Sequence, residues 1–126
     1  MDHAPGFLRA VAAVRSQVRE IDVAAMREAL ADGRATVIDV REDSEWAAGH
    51  VPGARHIGRG VLERDIERLV PDPATPLVLY CGGGYRSVLA ADALQRMGYR
   101  DVASMVGGWR AYVLAGGPVV VPPTTP

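Results

Sequence analysis

A chain of 126 residues with 48% apolar side chains is long enough to bury one substantial core and short for two domains. Its formal net charge of -1 gives no basic footprint for a phosphate backbone or an anionic membrane, and no apolar run reaches the ~18 residues that span a bilayer. One cysteine cannot form an intrachain disulfide, which makes a reducing compartment, the cytoplasm, the expected location; all fourteen cationic side chains are Arg, which excludes lysine Schiff-base chemistry.

Phe7, Val11, Val14 and Val18 recur at helical spacing, and Arg9 and Arg15 interrupt the run, so residues 1–17 read as an amphipathic helical extension rather than a signal peptide. A short edge strand over Val18 to Ile21 opens the domain proper, assigned to residues 18–117. Asp22 caps a helix with Val23, Met26 and Leu30 on one face, ended by Gly33. Thr36 to Val40 is β-branched and almost continuously apolar, as a strand covered on both faces would be. A short helix over Glu42 to Ala48 stops at Gly49, and Ala54 to Ile57 is a brief strand. Leu62, Ile66 and Leu69 mark a helix terminated by Pro71, and Leu77 to Tyr80 is the most apolar strand. A helix carrying Val88, Ala91 and Leu94 runs to near Gly98, a strand begins at Val102 to Met105, and Trp109 to Leu114 forms the last helix. Residues 118–126 contain four prolines and read as an extended tail. The alternation predicts a three-layer α/β fold, a mainly parallel five-stranded sheet flanked by helices.

The chemistry concentrates where the Leu77–Tyr80 strand meets Cys81-Gly82-Gly83-Gly84-Tyr85-Arg86-Ser87. Ligands of open α/β sheets bind at the carboxyl ends of strands, and here the chain turns directly into a helix N-terminus. Glycines allow such a loop to aim successive N–H groups inward as an anion nest, reinforced by the helix dipole. A thiol at the focus of that nest is favoured as thiolate, the nucleophilic form. Arg86 would stand beside the sulfur or grip an anionic substrate, and Ser87 would add a hydrogen bond. A lone cysteine after an apolar strand is often only a small buried hydrophobe, but three glycines in a row are a poor use of backbone entropy without a special conformation. The glycine pattern does not match a dinucleotide-binding loop.

Three separated segments carry a resemblance. Val37-Ile38-Asp39-Val40-Arg41 with Glu45-Trp46 and Gly49-His50-Val51-Pro52-Gly53-Ala54 is similar to the first signature of the rhodanese homology domain. Cys81 to Ser87 resembles that family's active-site loop, and Gly107-Gly108-Trp109 its C-terminal signature. The resemblance covers about Val18 to Gly117. It implies a sulfurtransferase in which Cys81 carries a persulfide held by loop N–H groups, with thiosulfate or another sulfane donor, and no cofactor. The loop spacing, Cys-x4-Arg, is shorter than the Cys-x5-Arg of phosphatases and arsenate reductases that share the fold. Only Arg86 is charged within the loop, so a small-molecule or protein-bound persulfide competes with thiosulfate as donor, and a thiol or cyanide would serve as acceptor.

Asp39 and Arg41, at the end of a second strand, are candidates for supporting roles: either one faces the crevice near Cys81, or Arg41 pairs with Glu45 while Asp39 holds loop N–H groups. His50 is expected to fix its turn by a hydrogen bond. Tyr85 either lines the entrance or covers the helix start. His3, His50, His56 and Cys81 lack zinc-site spacing, and His3 falls in an expected flexible end. Two rivals remain, a cysteine phosphatase or arsenate reductase on the same fold and a non-catalytic binding module.

Overall fold

A computed structural model describes residues 3–123. Five short strands, β1 (Arg19–Ile21), β2 (Thr36–Asp39), β3 (Arg55–His56), β4 (Leu77–Tyr80) and β5 (Val102–Met105), form one sheet in the order β1-β5-β4-β2-β3. Every pairing is parallel, so the sheet is wholly rather than mainly parallel. The helices are α1 (Pro5–Arg15), α2 (Val23–Ala31), α3 (Asp43–Ala47), α4 (Leu62–Leu69), α5 (Arg86–Arg96) and α6 (Gly108–Leu114), with a 3-10 turn at Arg59–Val61. Among the described residues, no helix is long and apolar enough to cross a membrane.

The two-residue period of the strands divides the core. Ile38, Leu77, Leu79 and Val102 point to one face, where they meet Val11 of α1, Leu62 and Ile66 of α4, and Val88 and Leu94 of α5. Val37, Val78, Tyr80 and Met105 point to the other, against Met26 of α2 and Tyr112 of α6. Each fully buried aliphatic side chain contributes roughly 1.5–3 kcal/mol over an exposed one. This explains why strands of four residues or fewer hold together: the three central ones, β2, β4 and β5, are covered on both faces.

Local signals set several boundaries. The Asp22 carboxylate accepts from the Ala25 N–H at 2.8 Å and starts α2 as expected. In α3, Glu42 and Glu45 form a capping box. The first helix is shorter than its apolar repeat suggests: it ends at Arg15, and Val18 enters the core from the turn that follows. It packs within the monomer, with Val11 buried against the α5 side of the core. The tail is docked where it is described. The Tyr112 hydroxyl donates to the Pro118 carbonyl at 2.6 Å, and His50 and Val120 exchange backbone hydrogen bonds at 2.9 and 3.1 Å. Residues 124–126 of the expected tail lie outside the described residues.

Candidate active site

Cys81 follows β4 directly. Continuing the alternation of Leu77 and Leu79, its side chain enters the α5 face and stands under the first turn of that helix. The Sγ accepts N–H groups from Gly84 at 3.2 Å and Ser87 at 3.3 Å, with the Ser87 hydroxyl at 3.4 Å. Ser87 is held in turn by Ser104 of β5, hydroxyl to hydroxyl, at 2.8 Å. Among the described residues, the N–H groups of Gly83 and Tyr85 meet no backbone carbonyl. The sulfur therefore lies at the focus of peptide dipoles at the positive end of an eleven-residue helix, surroundings that favour an anion. Of the three loop glycines, only Gly84 uses the left-handed region, at φ +93°, and a Cβ there would stand 2.8 Å from the Gly107 nitrogen.

The Gly107-Gly108 pair explains why the loop carbonyls do not compete for that focus. At the start of α6, the Trp109 N–H donates to the Cys81 carbonyl at 2.7 Å and the Arg110 N–H to the Gly82 carbonyl at 3.0 Å. Both oxygens are thereby turned toward α6. Gly108, at φ +55°, permits the approach: a Cβ on it would lie 2.3 Å from the Cys81 oxygen. A Gly108→Ala protein is expected to lose about 1–3 kcal/mol through backbone strain and overpacking. Because relief requires the loop to move, its Cys81 should also alkylate more slowly with iodoacetamide; wild-type stability and alkylation would refute this account of the loop.

Arg86 begins α5 beside the loop, but its charge is not free. Its Nη1 and Nη2 donate to the two Glu45 oxygens at 3.1 and 3.2 Å. Burial works against the Glu45 carboxylate, yet the Arg86 hydrogen bond, the Glu42 backbone and the Arg86 charge together hold it below its ordinary range. The hydrogen bonds to Glu45 keep Arg86 above its own. Sequence reasoning considered Glu45 only as an alternative partner for Arg41 and so missed it at the site. Its place in the first signature was a signal, but its partner lies 41 residues away.

Arg41 pairs instead with Asp39. Its Nη2 donates to Asp39 Oδ2 at 2.8 Å, its Nε to both carboxylate oxygens at 3.0 and 3.1 Å, and its backbone N–H to Oδ1 at 2.9 Å. The Nη2 also donates to the Gly49 carbonyl at 2.7 Å, and the guanidinium carbon lies 4.5 Å from the Trp109 ring centroid. Burial opposes this charge, and the Asp39 hydrogen bond and charge outweigh that and raise it above its ordinary value. Both residues are buried and neither lines the cleft above Cys81, so of the two alternatives the crevice-facing one does not hold, and the Arg41 partner is Asp39 rather than Glu45. They tie the end of β2, the Gly49 turn and α6 into one knot beneath the loop. His50 fixes that turn as expected, its Nδ1 3.0 Å from the Val51 carbonyl, and its ring stacks on Trp46 with centroids 3.4 Å apart.

Above the sulfur lies a cleft of about 1000 Å³ lined by Glu45, Cys81, Gly82, Gly83, Tyr85, Arg86, Trp109, Arg110 and further side chains of α1 and α6. Tyr85 both lines this cleft and covers the helix start, its ring 4.6 Å from that of His3 and 6.2 Å from that of Phe7. His3, expected in a flexible end, is thus placed against the loop.

A thiol cradled by N–H groups between a parallel strand and a helix is an arrangement with relatives. A family model described as "Rhodanese-like domain" matches residues 22–115. The chain is 36% identical over 97 residues to a putative sulfurtransferase, YtwF, of Bacillus subtilis, covering 76% of this chain and 91% of that protein. It is 35% identical over 85 residues to the thiosulfate sulfurtransferase GlpE of Pseudomonas fluorescens, covering 68% and 76% respectively. Among solved structures, a protein of unknown function from Rhodopseudomonas palustris, described as a possible tyrosine phosphatase, superposes with a TM-score of 0.82 at 30% identity, covering 95% of this chain and 98% of that one. With the wholly parallel sheet, the Cys81 loop and a match over most of its length, the chain belongs to the rhodanese-like domain family.

Proposed function

We propose that the protein is a sulfurtransferase that carries sulfane sulfur as a persulfide on Cys81. The observation that carries the reading is the convergence of the Gly84 and Ser87 N–H groups and the Ser87 hydroxyl on the Sγ, within 3.2 to 3.4 Å. Such a focus stabilises a thiolate before reaction and a persulfide anion after it. In the first half-reaction the Cys81 thiolate attacks the outer sulfur of the donor. The donor S–S bond breaks, and sulfite or a thiolate leaves with the electron pair. In the second, an acceptor thiolate or cyanide attacks the terminal sulfur, and Cys81 leaves as thiolate. Gly82, Gly83, Gly84, Tyr85, Arg86 and Ser87 bind the transferred sulfur and its donor, while Asp39 and Arg41 position the loop from below. Donor and acceptor are small sulfur compounds or a protein-bound persulfide, and a reducing compartment, the cytoplasm, suits a lone cycling thiol.

Intact-protein mass spectrometry after incubation with a sulfane donor tests this directly. A gain of one sulfur at Cys81 that disappears on addition of cyanide or dithiothreitol is the expected result; a reactive Cys81 that gains none from thiosulfate or an organic persulfide would overturn it.

The Glu45–Arg86 pair makes a dianion a poor match, because the one cation of the Cys81–Ser87 loop is already compensated. A Glu45→Gln protein should load sulfur from thiosulfate about three- to tenfold faster at low ionic strength, with the gain fading as salt rises. The sign of the pH effect follows from the depressed Glu45 value: its contribution to stability is full above the ordinary carboxylate range and is lost as pH falls through the lowered value. The difference in Tm between wild type and variant should therefore shrink only in acid, and it should stay small throughout because the pair is about one-third exposed.

The phosphatase description of the Rhodopseudomonas neighbour favours a second reading, cysteine-dependent hydrolysis of a phosphate ester. The Cys-x4-Arg spacing and the commitment of Arg86 to Glu45 weigh against it, and turnover of an aryl phosphate lost on Cys81→Ser would establish it.

A further inference from the structure

We infer that the donor taken by this site is an organic persulfide with an apolar, preferably aromatic, body, and that Phe7 and Tyr85 with Val113 and Leu114 select it. The inference rests on the sulfurtransferase reading and names its substrate class. Three observations carry it. Cys81 is only 1% exposed at the bottom of a cleft of about 1000 Å³, so a substrate must present a thin reacting end and can bring a broad body behind it. A cleft of that size is at the upper end for a drug-sized ligand and far larger than an inorganic sulfur oxyanion requires. Second, the walls at the mouth are apolar and come from both faces of the sheet. Phe7 and Tyr85 meet on the α1 side, while Val113 and Leu114 on the α6 side are 46% and 82% exposed. Exposing such side chains to water is costly unless something covers them. Third, the charges match a substrate with one negative charge at most: Glu45 cancels Arg86, which leaves Arg110 of α6 as the uncompensated guanidinium among the described lining residues, with the His3 imidazole beside Tyr85.

Phe7 belongs to α1, outside the residues that the family model matches, and its position is set by the core. Val11 is buried, Val14 packs on the same cluster, and Gln95 of α5 donates to the Gln17 carbonyl at 2.9 Å just beyond the helix. Arg15 of the same helix places its guanidinium carbon 5.4 Å from the Tyr85 ring centroid. The aromatic wall is therefore a fixed surface. The step it serves is balanced: the Cys81 thiolate takes the outer sulfur of R–S–SH, the S–S bond of the donor breaks, R–S⁻ departs with the electron pair and takes up the proton of the outer sulfur as R–SH, and Cys81 is left as the persulfide anion.

Two rates test the inference. Sulfur loading from benzyl persulfide and from thiosulfate is followed by intact mass. Alkylation of Cys81 by N-benzyl iodoacetamide and by iodoacetamide reads the same wall without sulfur transfer, each ratio being referred to free cysteine. The expected wild-type preference for the benzyl reagents is tenfold or more beyond that reference. Phe7→Ala and Leu114→Ser should each lower it about three- to tenfold, and Leu114→Ser removes a side chain too exposed to endanger folding. Leu8→Ala, on the same helix but outside the cleft lining, should keep the wild-type ratio. A ratio equal to that of free cysteine, or one unmoved by both variants, overturns the inference and leaves sulfur transfer standing. Benzyl preference in alkylation with no sulfur loaded from either donor overturns the sulfurtransferase reading and the persulfide assignment with it.

Discussion

Cys81→Ser is expected to gain no mass on incubation with any sulfane donor and to show no donor-to-acceptor transfer. A serine hydroxyl is not ionised at neutral pH, and an oxygen in place of the sulfur cannot form the S–S bond on which the double displacement depends. The protein should nonetheless fold. The side chain is small and almost fully buried, and the Gly84 and Ser87 N–H groups that meet the sulfur can donate to a hydroxyl oxygen in the same place. The change in stability should stay near ~1 kcal/mol, within the ordinary range for one conservative core substitution. The informative result is thus the pair of measurements, a normal thermal melt beside a complete absence of persulfide. Sulfur transfer surviving in this variant would remove Cys81 from the reaction altogether.

The largest loss of stability should follow Asp39→Ala. Arg41 is 3% exposed and its guanidinium stays charged at any pH at which the protein is folded. Asp39 accepts three side-chain hydrogen bonds from it, leaving the Gly49 carbonyl as the other acceptor and Trp109 as a flat neighbour. Removing the carboxylate strands a buried cation, which costs about 3–5 kcal/mol. That is a large fraction of the roughly 5–15 kcal/mol that holds a domain of this size folded. Urea denaturation should show the midpoint falling accordingly. Asp39→Asn, which keeps the shape and part of the hydrogen bonding, should lie between. The double variant Asp39→Ala/Arg41→Met should recover part of the loss, since it removes the stranded charge along with its partner. An Asp39→Ala protein as stable as wild type would show that the pair does not hold the loop's foundation.

Strand positions were the most legible part of the fold. Leu77–Tyr80 and Val102–Met105 stand in their apolar runs, because a strand buried on both faces is almost continuously apolar; the one polar side chain in them, Ser104, is buried with its hydroxyl on Ser87. The short edge strand before Asp22 and the Asp22 cap were readable for similarly local reasons. Partners distant in sequence were not. Arg41 stands before α3 rather than inside it, so the helical i,i+4 spacing to Glu45 had no helix to act through, and the nearer carboxylate at Asp39 took the guanidinium. Glu45 was left for Arg86, a pairing that only the sheet order brings about. The Gly107-Gly108 pair was visible as a signature, but its task of admitting α6 against the Cys81 carbonyl depends on a contact between segments 27 residues apart. Docking of the tail could not be read from the sequence, because Val119 to Val121 fit a free or a docked extended segment equally well until His50 is found beside Val120.

The placement of β1 bears on how the molecule is made. This strand is hydrogen-bonded to β5 alone, Arg19 to Ala103 through Ile21 to Met105, so the first strand synthesised has no partner until the last one has emerged. Pairings so distant along the chain carry a high loop-closure cost and slow the search for the native state. The turned carbonyls of the Cys81 loop depend on Trp109 and Arg110, which follow later still. On the ribosome, a nascent chain of this protein would hold Cys81 in an unfinished cradle until nearly the whole domain had left the exit tunnel, and the N–H groups around its sulfur would be locked in place only together with the completed sheet.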